Sequence, residues 1–183
     1  MQVLRTNGEN AYRLLIAGSG PSLEGLRSYA ESKLPGSIKF LGHIGDKQEL
    51  ADIFANADVF VHTNPNEPFG IAPLEALASG LPLVAPNAGG VLSYANATNA
   101  WLAKPNGEAF ASAIREIFAN DETRTARIEQ GVKTSSRYTW EASTDALFAI
   151  YDEMFARFRS QQELYDYTDF PKETNFAANL TAC

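Results

Sequence analysis

The chain has 183 residues, with 15 Lys+Arg against 22 Asp+Glu and a formal charge of −7, which is the length of one domain or of two small ones. Such a chain can bury a core without disulfides or metals, and its composition, 45% hydrophobic and 20% charged, excludes the collagen-like and disordered classes. The acidic balance repels phosphate backbones and anionic lipid, so no nucleic-acid role is expected.

The opening Met1-Gln2-Val3-Leu4-Arg5 carries no apolar signal region, and no stretch approaches the roughly 20 apolar residues of a spanning helix. The single cysteine, Cys183, permits neither an internal disulfide nor a cysteine-based metal site, so the expected compartment is the cytoplasm.

Arg13-Leu14-Leu15-Ile16-Ala17 is a continuous apolar run stopped by Gly18-Ser19-Gly20-Pro21, which predicts a buried strand ending in a tight loop. Ser22 is placed to cap a helix carrying Leu23, Leu26, Tyr29 and Ala30, and Pro35-Gly36 ends it. Ile38 to Leu41 reads as a second strand closed by Gly42; Asp46 then caps a helix striped with Leu50, Ile53, Phe54 and Ala57. Val59-Phe60-Val61 is a third strand, followed by an irregular loop from Pro65 to Gly70 and a helix with Pro73 in its first turn, ending at Gly80. Leu83-Val84-Ala85 is a fourth strand, trailed by Gly89-Gly90, and Ala100 to Ala103 a fifth. Three helical patterns complete the chain: Phe110 to Phe118, a more polar one over 122–136, and a long one marked by Leu147, Ile150, Tyr151, Met154, Phe155 and Phe158.

Strands alternating with helices at this spacing pair in parallel, because parallel neighbours need a crossover between them. The expected fold is therefore α/β, a Rossmann-like parallel sheet with helices on both faces and the C-terminal helices packed alongside. The expected division is a binding domain over 1–159 and an aromatic, acidic tail over 160–183. Ligands of such a sheet gather beyond the carboxyl ends of its strands.

The segment that carries chemistry runs from Glu67 to Ala85: Glu67-Pro68-Phe69-Gly70-Ile71-Ala72-Pro73-Leu74-Glu75, then Ala76-Leu77-Ala78-Ser79-Gly80-Leu81-Pro82. It is a loop at a strand's carboxyl end entering a helix. Gly70 lets the backbone approach a ligand closely, and the unbonded N–H groups of the next turn, with the helix dipole, make an anion site. Glu67 in the loop and Glu75, expected in the first helical turn, flank that site. Carboxylates beside a bound phosphate suit neutral hydroxyls, as on ribose and sugar, so the pattern describes a nucleoside-diphosphate sugar.

Glu, seven residues, Glu, with Phe-Gly inside and Glu-Ala-x-Ala-x-Gly-x-Pro after it, closely resembles the donor-binding motif of retaining glycosyltransferases of the GT-B fold. Other segments extend the resemblance over most of residues 12 to 155: Leu14 to Pro21, Phe40-Leu41-Gly42-His43, Ala57 to Val61, Gly89-Gly90 and Tyr138-Thr139-Trp140. The resemblance implies a C-terminal donor-binding domain. In it Glu67, the candidate catalytic residue, binds hydroxyls of the transferred sugar, and Glu75 binds the ribose. The backbone N–H groups of Phe69, Gly70 and Ile71 hold sugar and diphosphate, and His43 and Ile44 lie against the base. Gly18, Ser19, Gly89 and Gly90, in loops at strand ends, complete the donor-binding set. The family transfers a sugar with retained configuration, stabilising the departing diphosphate electrostatically; no metal and no cofactor besides the donor are expected.

Two features depart from the family. In the family an Arg and a Lys on a Gly-Arg-x-x-x-x-Lys stretch at the first strand of this domain clamp the diphosphate; before Tyr12 only a helix's tail is expected, with that strand missing, and Ser93 stands where a Glu usually follows the Gly-Gly loop. The expected partner is thus a missing N-terminal acceptor domain, through which any peripheral membrane association would run. Without it the chain is expected to be catalytically incompetent.

Two other readings compete. A nicotinamide-binding dehydrogenase needs a third glycine after Gly18-x-Gly20 and an acid after the second strand, but Leu23 and Phe40-Leu41-Gly42 stand there. A non-catalytic nucleotide-binding module or truncated relic fits the missing clamp. His43 and His62 read as structural rather than catalytic.

Overall fold

The computed structural model describes residues 1–6, 8 and 12–160. They fall into two units, Met1–Tyr138 and the residues from Thr139 on. The aromatic tail expected over 160–183 lies outside the described residues from position 161.

In the first unit the strands are β1 (Leu14–Ala17), β2 (Ile38–Gly42), β3 (Phe60–Val61), β4 (Leu83–Pro86) and β5 (Trp101–Ala103). Its helices are α1 (Gln2–Thr6), α2 (Leu23–Lys33), α3 (Lys47–Ala55), α4 (Ile71–Ala78), α5 (Gly107–Ala119) and α6 (Asp121–Ser135), with a 3-10 turn over Gly90–Ser93. Every strand pairing is parallel, as expected from the crossover helices. The pairings form two separate ladders, β1-β2 and β3-β4-β5. The second unit holds α7 (Trp140–Ser160), a 21-residue helix.

β4 is buried at all four positions and sets the two faces of the larger ladder. Because successive side chains point to opposite sides of a strand, Leu83 and Ala85 join Leu77 of α4 with Val91, Tyr94, Ala95 and Ala100. Val84 joins Trp101, Ala103 and the α5 residues Phe110, Ala113 and Ile117, with Val59 and Val61 packed against them. Phe54 of α3 meets Ala76 and Leu81, so α3 shares the α4 face. On the α5 side, α1 packs against α5 with Leu4 fully buried. Gln2 of α1 accepts a hydrogen bond of 2.9 Å from the Tyr29 hydroxyl on α2. Helices thus cover both faces, as expected of a GT-B half.

Three helix starts follow the side-chain capping rule. Asp46 accepts from the Glu49 N–H at 2.8 Å, Asn106 from Ala109 at 2.9 Å and Asn120 from Thr123 at 2.8 Å. Ser22 occupies the N-cap of α2 but makes no side-chain cap bond, because its backbone is helical rather than extended. One other expectation needs correction. β1 alternates half-buried and exposed residues, with Leu15 44% exposed, so its apolar run does not mark a strand enclosed on both faces. Residues 2–6 form a short helix, as the sequence suggested for the stretch before Tyr12, and β1 is the first strand among the described residues.

Candidate functional site

The loops that leave the carboxyl ends of the strands carry every residue singled out in the sequence except Ile71 and Glu75, which lie on α4. The chain brings them together as two groups. In the first, the Gly18 N–H donates to the Gly42 carbonyl at 2.6 Å, joining the loop after β1 to the loop after β2. That bond sets Gly18 and Ser19 beside His43 and Ile44. Ser19 and His43 are exposed and Ile44 half-buried.

The second group is built around the start of α4. Gly70 is its N-cap, with φ 85° and ψ 84°, a left-handed conformation that glycine adopts without cost. The buried hydroxyl of Tyr94 donates to the Gly70 carbonyl at 2.6 Å. A Cβ at Gly70 would lie 3.0 Å from that hydroxyl and 3.3 Å from Cγ of Glu67. Gly90 donates its N–H to the Glu67 carbonyl at 2.7 Å, and a Cβ at Gly90 would run into the Pro68 carbonyl and the Phe69 nitrogen. A Cβ at Gly89 would meet the Pro65 carbonyl oxygen at 2.6 Å. Both glycines are therefore required by close approach of two backbones, and they hold the Glu67 loop against the loop after β4. The Glu67 carboxylate accepts from the Asn64 side-chain amide at 3.1 Å.

Beneath the turn, the rings of Phe69 and Tyr94 stand 5.2 Å apart, edge to face, and Tyr138 closes a triangle at 5.8 and 5.9 Å. Edge-to-face rings add stability beyond the area they bury, so the backbone at Phe69 and Gly70 is clamped from below. Burial above all, then the Glu67 carboxylate and then Tyr138, holds the Tyr94 hydroxyl protonated well above the ordinary tyrosine range.

The donors of the anion site follow from the helix start. The first N–H groups of a helix have no partner within it, and Pro73 contributes none. Ile71 and Ala72, both exposed residues, therefore carry the N–H groups left without a helical partner at the positive end of α4. Glu75 is the fifth residue of α4 and so lies in its second turn, not the first as the sequence suggested. The helix starts at Ile71, two residues before Pro73, which shifts its turns. Glu75 remains exposed on the same face as Ile71 and Ala72, four and three residues away respectively. Its place in the second turn also weakens the plainer reading of an acid that merely complements the dipole. Among the described residues no hydrogen bond or ion pair joins the Glu75 carboxylate to the Glu67 group, or the Gly18–His43 group to either.

Sequence reasoning passed over Asn64, Tyr94 and Tyr138 as site residues. Tyr94 follows the Gly-Gly loop by four residues, a spacing that says nothing until the 3-10 turn places its ring under Gly70. Ser93, where the family usually has a Glu, turns its hydroxyl back to the Gly90 carbonyl at 2.7 Å. His62 follows β3, and its Nε2 is buried without a hydrogen-bond partner.

Residues 1–134 match the family model of glycosyl transferases group 1. The chain belongs to the group 1 glycosyltransferases. It is 34% identical over 143 residues to the GDP-mannose-dependent alpha-(1-6)-phosphatidylinositol dimannoside mannosyltransferase of Mycobacterium tuberculosis, covering 78% of this chain and 36% of that protein. A D-inositol 3-phosphate glycosyltransferase of Saccharomonospora viridis is 33% identical over 154 residues, covering 80% of this chain and 36% of the relative. The group 1 glycosyltransferase described here thus spans about a third of the length of these curated relatives. Its fold matches sucrose-phosphate synthase from Thermosynechococcus elongatus with a TM-score of 0.72 at 25% identity, over 85% of this chain and 42% of that one. It also matches Anabaena HepE in complex with UDP, with a TM-score of 0.67 at 22% identity, over 78% of this chain and 41% of that one. The α/β architecture is that of a GT-B half. Among the described residues no helix is long and apolar enough to cross a membrane.

Proposed function

We propose that this chain is the donor-binding half of a retaining glycosyltransferase, taking a nucleoside-diphosphate sugar whose sugar passes to an acceptor held by an N-terminal portion outside these residues. The observation that carries the reading is the start of α4. The Gly70 turn, tied to Tyr94 and with the Glu67 backbone held by Gly90, starts α4 at Ile71 and Ala72, with Glu67 before it in the chain and Glu75 after it on the exposed side of the helix. N–H groups at a helix's positive end suit a diphosphate and stabilise the charge that grows on it as the glycosidic bond breaks. Two carboxylates beside them suit hydroxyls and not further phosphate, with Glu67 toward the sugar and Glu75 toward the ribose.

Gly18, Ser19, His43 and Ile44 would border the nucleoside, and Gly89 and Gly90 the diphosphate. The backbone supplies the diphosphate's partners, so no metal is part of the proposal. The mycobacterial relative is named as GDP-mannose-dependent and the Anabaena structure holds UDP, which supports a nucleoside-diphosphate donor. Transfer would need the N-terminal portion, and the chain would act in the cytoplasm.

Thermal unfolding with GDP-mannose, UDP-glucose, ADP-glucose and NAD tests this. A ligand at about 100 times its dissociation constant adds roughly 2.7 kcal/mol. The expected result is a rise in Tm with at least one nucleotide sugar, none with NAD, and loss of the rise in Glu75→Ala. Stabilisation by NAD, or by no nucleotide, contradicts the proposal.

A further inference from the structure

β2 leaves one side of its ladder open. Leu14 donates to the Ser37 carbonyl and stands in register with Ile38, so Ser37 and Lys39 turn their backbone toward β1. In a parallel strand alternate residues turn their N–H and C=O groups to opposite sides, and Ile38 and Phe40 therefore turn theirs outward. Among the described residues β1 is the only strand that pairs with β2. The register shifts where Ala17 meets Gly42, which ends the regular part of the edge after Phe40.

A hollow of about 280 Å³ lies between α2 and β2 along this edge, and Ala30, Leu34, Ile38 and Phe40 give it an apolar wall. The Arg27 guanidinium stands 5.1 Å from the centre of the Phe40 ring. Successive side chains alternate across a strand, so Lys39 points to the other face, and it is exposed. Arg5 hydrogen-bonds to the Pro35 carbonyl and the Ser37 hydroxyl at the start of the strand. β2 thus gathers positive charge on an acidic protein. Residues 1–41 hold five Lys or Arg and three acids, although the whole chain carries −7.

Charge decides what fits this edge. A second copy paired through both outward residues, Ile38 opposite Phe40, would set the two Lys39 side chains directly against each other, and like charges so placed destabilise a pair. A lysine on an edge strand guards against self-pairing of this kind. An acid at the same place on an incoming strand is attracted to Lys39 instead. An anionic membrane surface would answer the arginines and the lysine but leave the outward backbone groups of Ile38 and Phe40 without partners.

We infer that the β2 edge and the hollow beside it take an extended acidic segment of a partner protein, added to the ladder as a further strand. Main-chain hydrogen bonds to Ile38 and Phe40 hold it, and alternate side chains set its sequence. Apolar residues face the hollow, and acids face Lys39. None of the residues assigned to the donor takes part.

The test uses the 183-residue chain without nucleotide and two synthetic peptides of about six residues, one alternating glutamate with valine and the other lysine with valine. Without peptide the Ile38 and Phe40 amides are expected to exchange with solvent faster than the Lys39 amide, by on the order of tenfold or more. The glutamate peptide at saturation removes that difference. Lys39→Glu weakens its binding by about fivefold and favours the lysine peptide. No saturable binding of the glutamate peptide at millimolar concentration, equal binding of the two peptides, or binding that leaves the Ile38 and Phe40 amides unprotected overturns the inference. Protection that grows with protein concentration in the absence of peptide also overturns it, in favour of a second copy. Binding to phosphatidylserine vesicles without any response to the glutamate peptide overturns it in favour of a membrane.

Discussion

The hydroxyl of Tyr94 donates to the carbonyl of Gly70 at 2.6 Å, tying the loop after β4 to the turn that starts α4. The bond is buried, and the carbonyl it takes belongs to the left-handed residue that caps the start of α4. Tyr94→Phe keeps the ring packing and removes only the hydrogen bond. We expect it to cost about 1–2 kcal/mol, read as a lower denaturant midpoint, and to weaken donor binding. An unchanged midpoint would mean that the bond holds nothing.

The same hydroxyl makes stability depend on pH at the alkaline end. Its folded pKa is raised from an ordinary value of 10.0 by burial first, then by Glu67 and Tyr138. A raised value favours the protonated form in the folded state. The contribution is therefore complete below about pH 10 and is lost as pH rises through the folded value. The stability gap between wild type and Tyr94→Phe should stay constant from neutral pH to about 9 and narrow above 10. Unfolding free energies measured from pH 7 to 11 would show this, and a gap that closes below pH 9 would contradict it. Glu67→Gln should bring the Tyr94 titration part of the way back toward 10.0, seen in the tyrosinate absorbance.

Glycines near the site should differ sharply in tolerance. A Cβ at Gly90 meets the Pro68 backbone and one at Gly70 meets Tyr94 at a positive φ, whereas nothing lies within 4 Å of a Cβ at Gly20. Gly90→Ala and Gly70→Ala should each cost about 1–3 kcal/mol. Gly20→Ala should stay within about 0.5 kcal/mol of wild type. Melting curves of the three variants, with comparable losses in all, would show that the turn is not sterically determined.

The two carboxylates should separate binding from stability. Glu75 is exposed and in no ion pair among the described residues, so Glu75→Gln should leave the melting temperature unchanged. Donor affinity should still fall about tenfold, the loss of one charge-assisted hydrogen bond to a hydroxyl. Glu67→Gln should weaken binding of the nucleotide sugar more than that of the free nucleoside diphosphate. Isothermal titration with both ligands reads the difference; equal losses for the two ligands would place Glu67 away from the sugar.

The parallel α/β character was legible because Leu83 to Ala85 and Trp101 to Ala103 read as short apolar runs between helical stripes, and packing on both faces needs such runs. The Glu67–Glu75 segment was legible for a different reason. Gly70, Pro73 and Gly80 each mark a backbone event that few other residues permit, so loop, helix start and helix end could be placed to within a residue or two. Leu15 misled because an apolar residue reads the same whether its strand is covered or open, and coverage depends on a neighbour far along the chain or outside it. Ser22 misled because a cap needs an extended backbone as well as a hydroxyl. Tyr94 left no sign, since its role arises only when the 3-10 turn after Gly89 brings its ring under Gly70.

The most direct measurement is a titration of amide chemical shifts in the isotopically labelled chain with GDP-mannose and UDP-glucose at millimolar concentration. The account predicts perturbations gathered on Gly18, Ser19, Phe69, Gly70, Ile71, Gly89 and Gly90, with little change on α2. Shifts centred instead on the surface hollow between α2 and β2, lined by Arg27, Leu34 and Phe40, or no saturable shifts with either sugar nucleotide, would contradict a donor site at the start of α4.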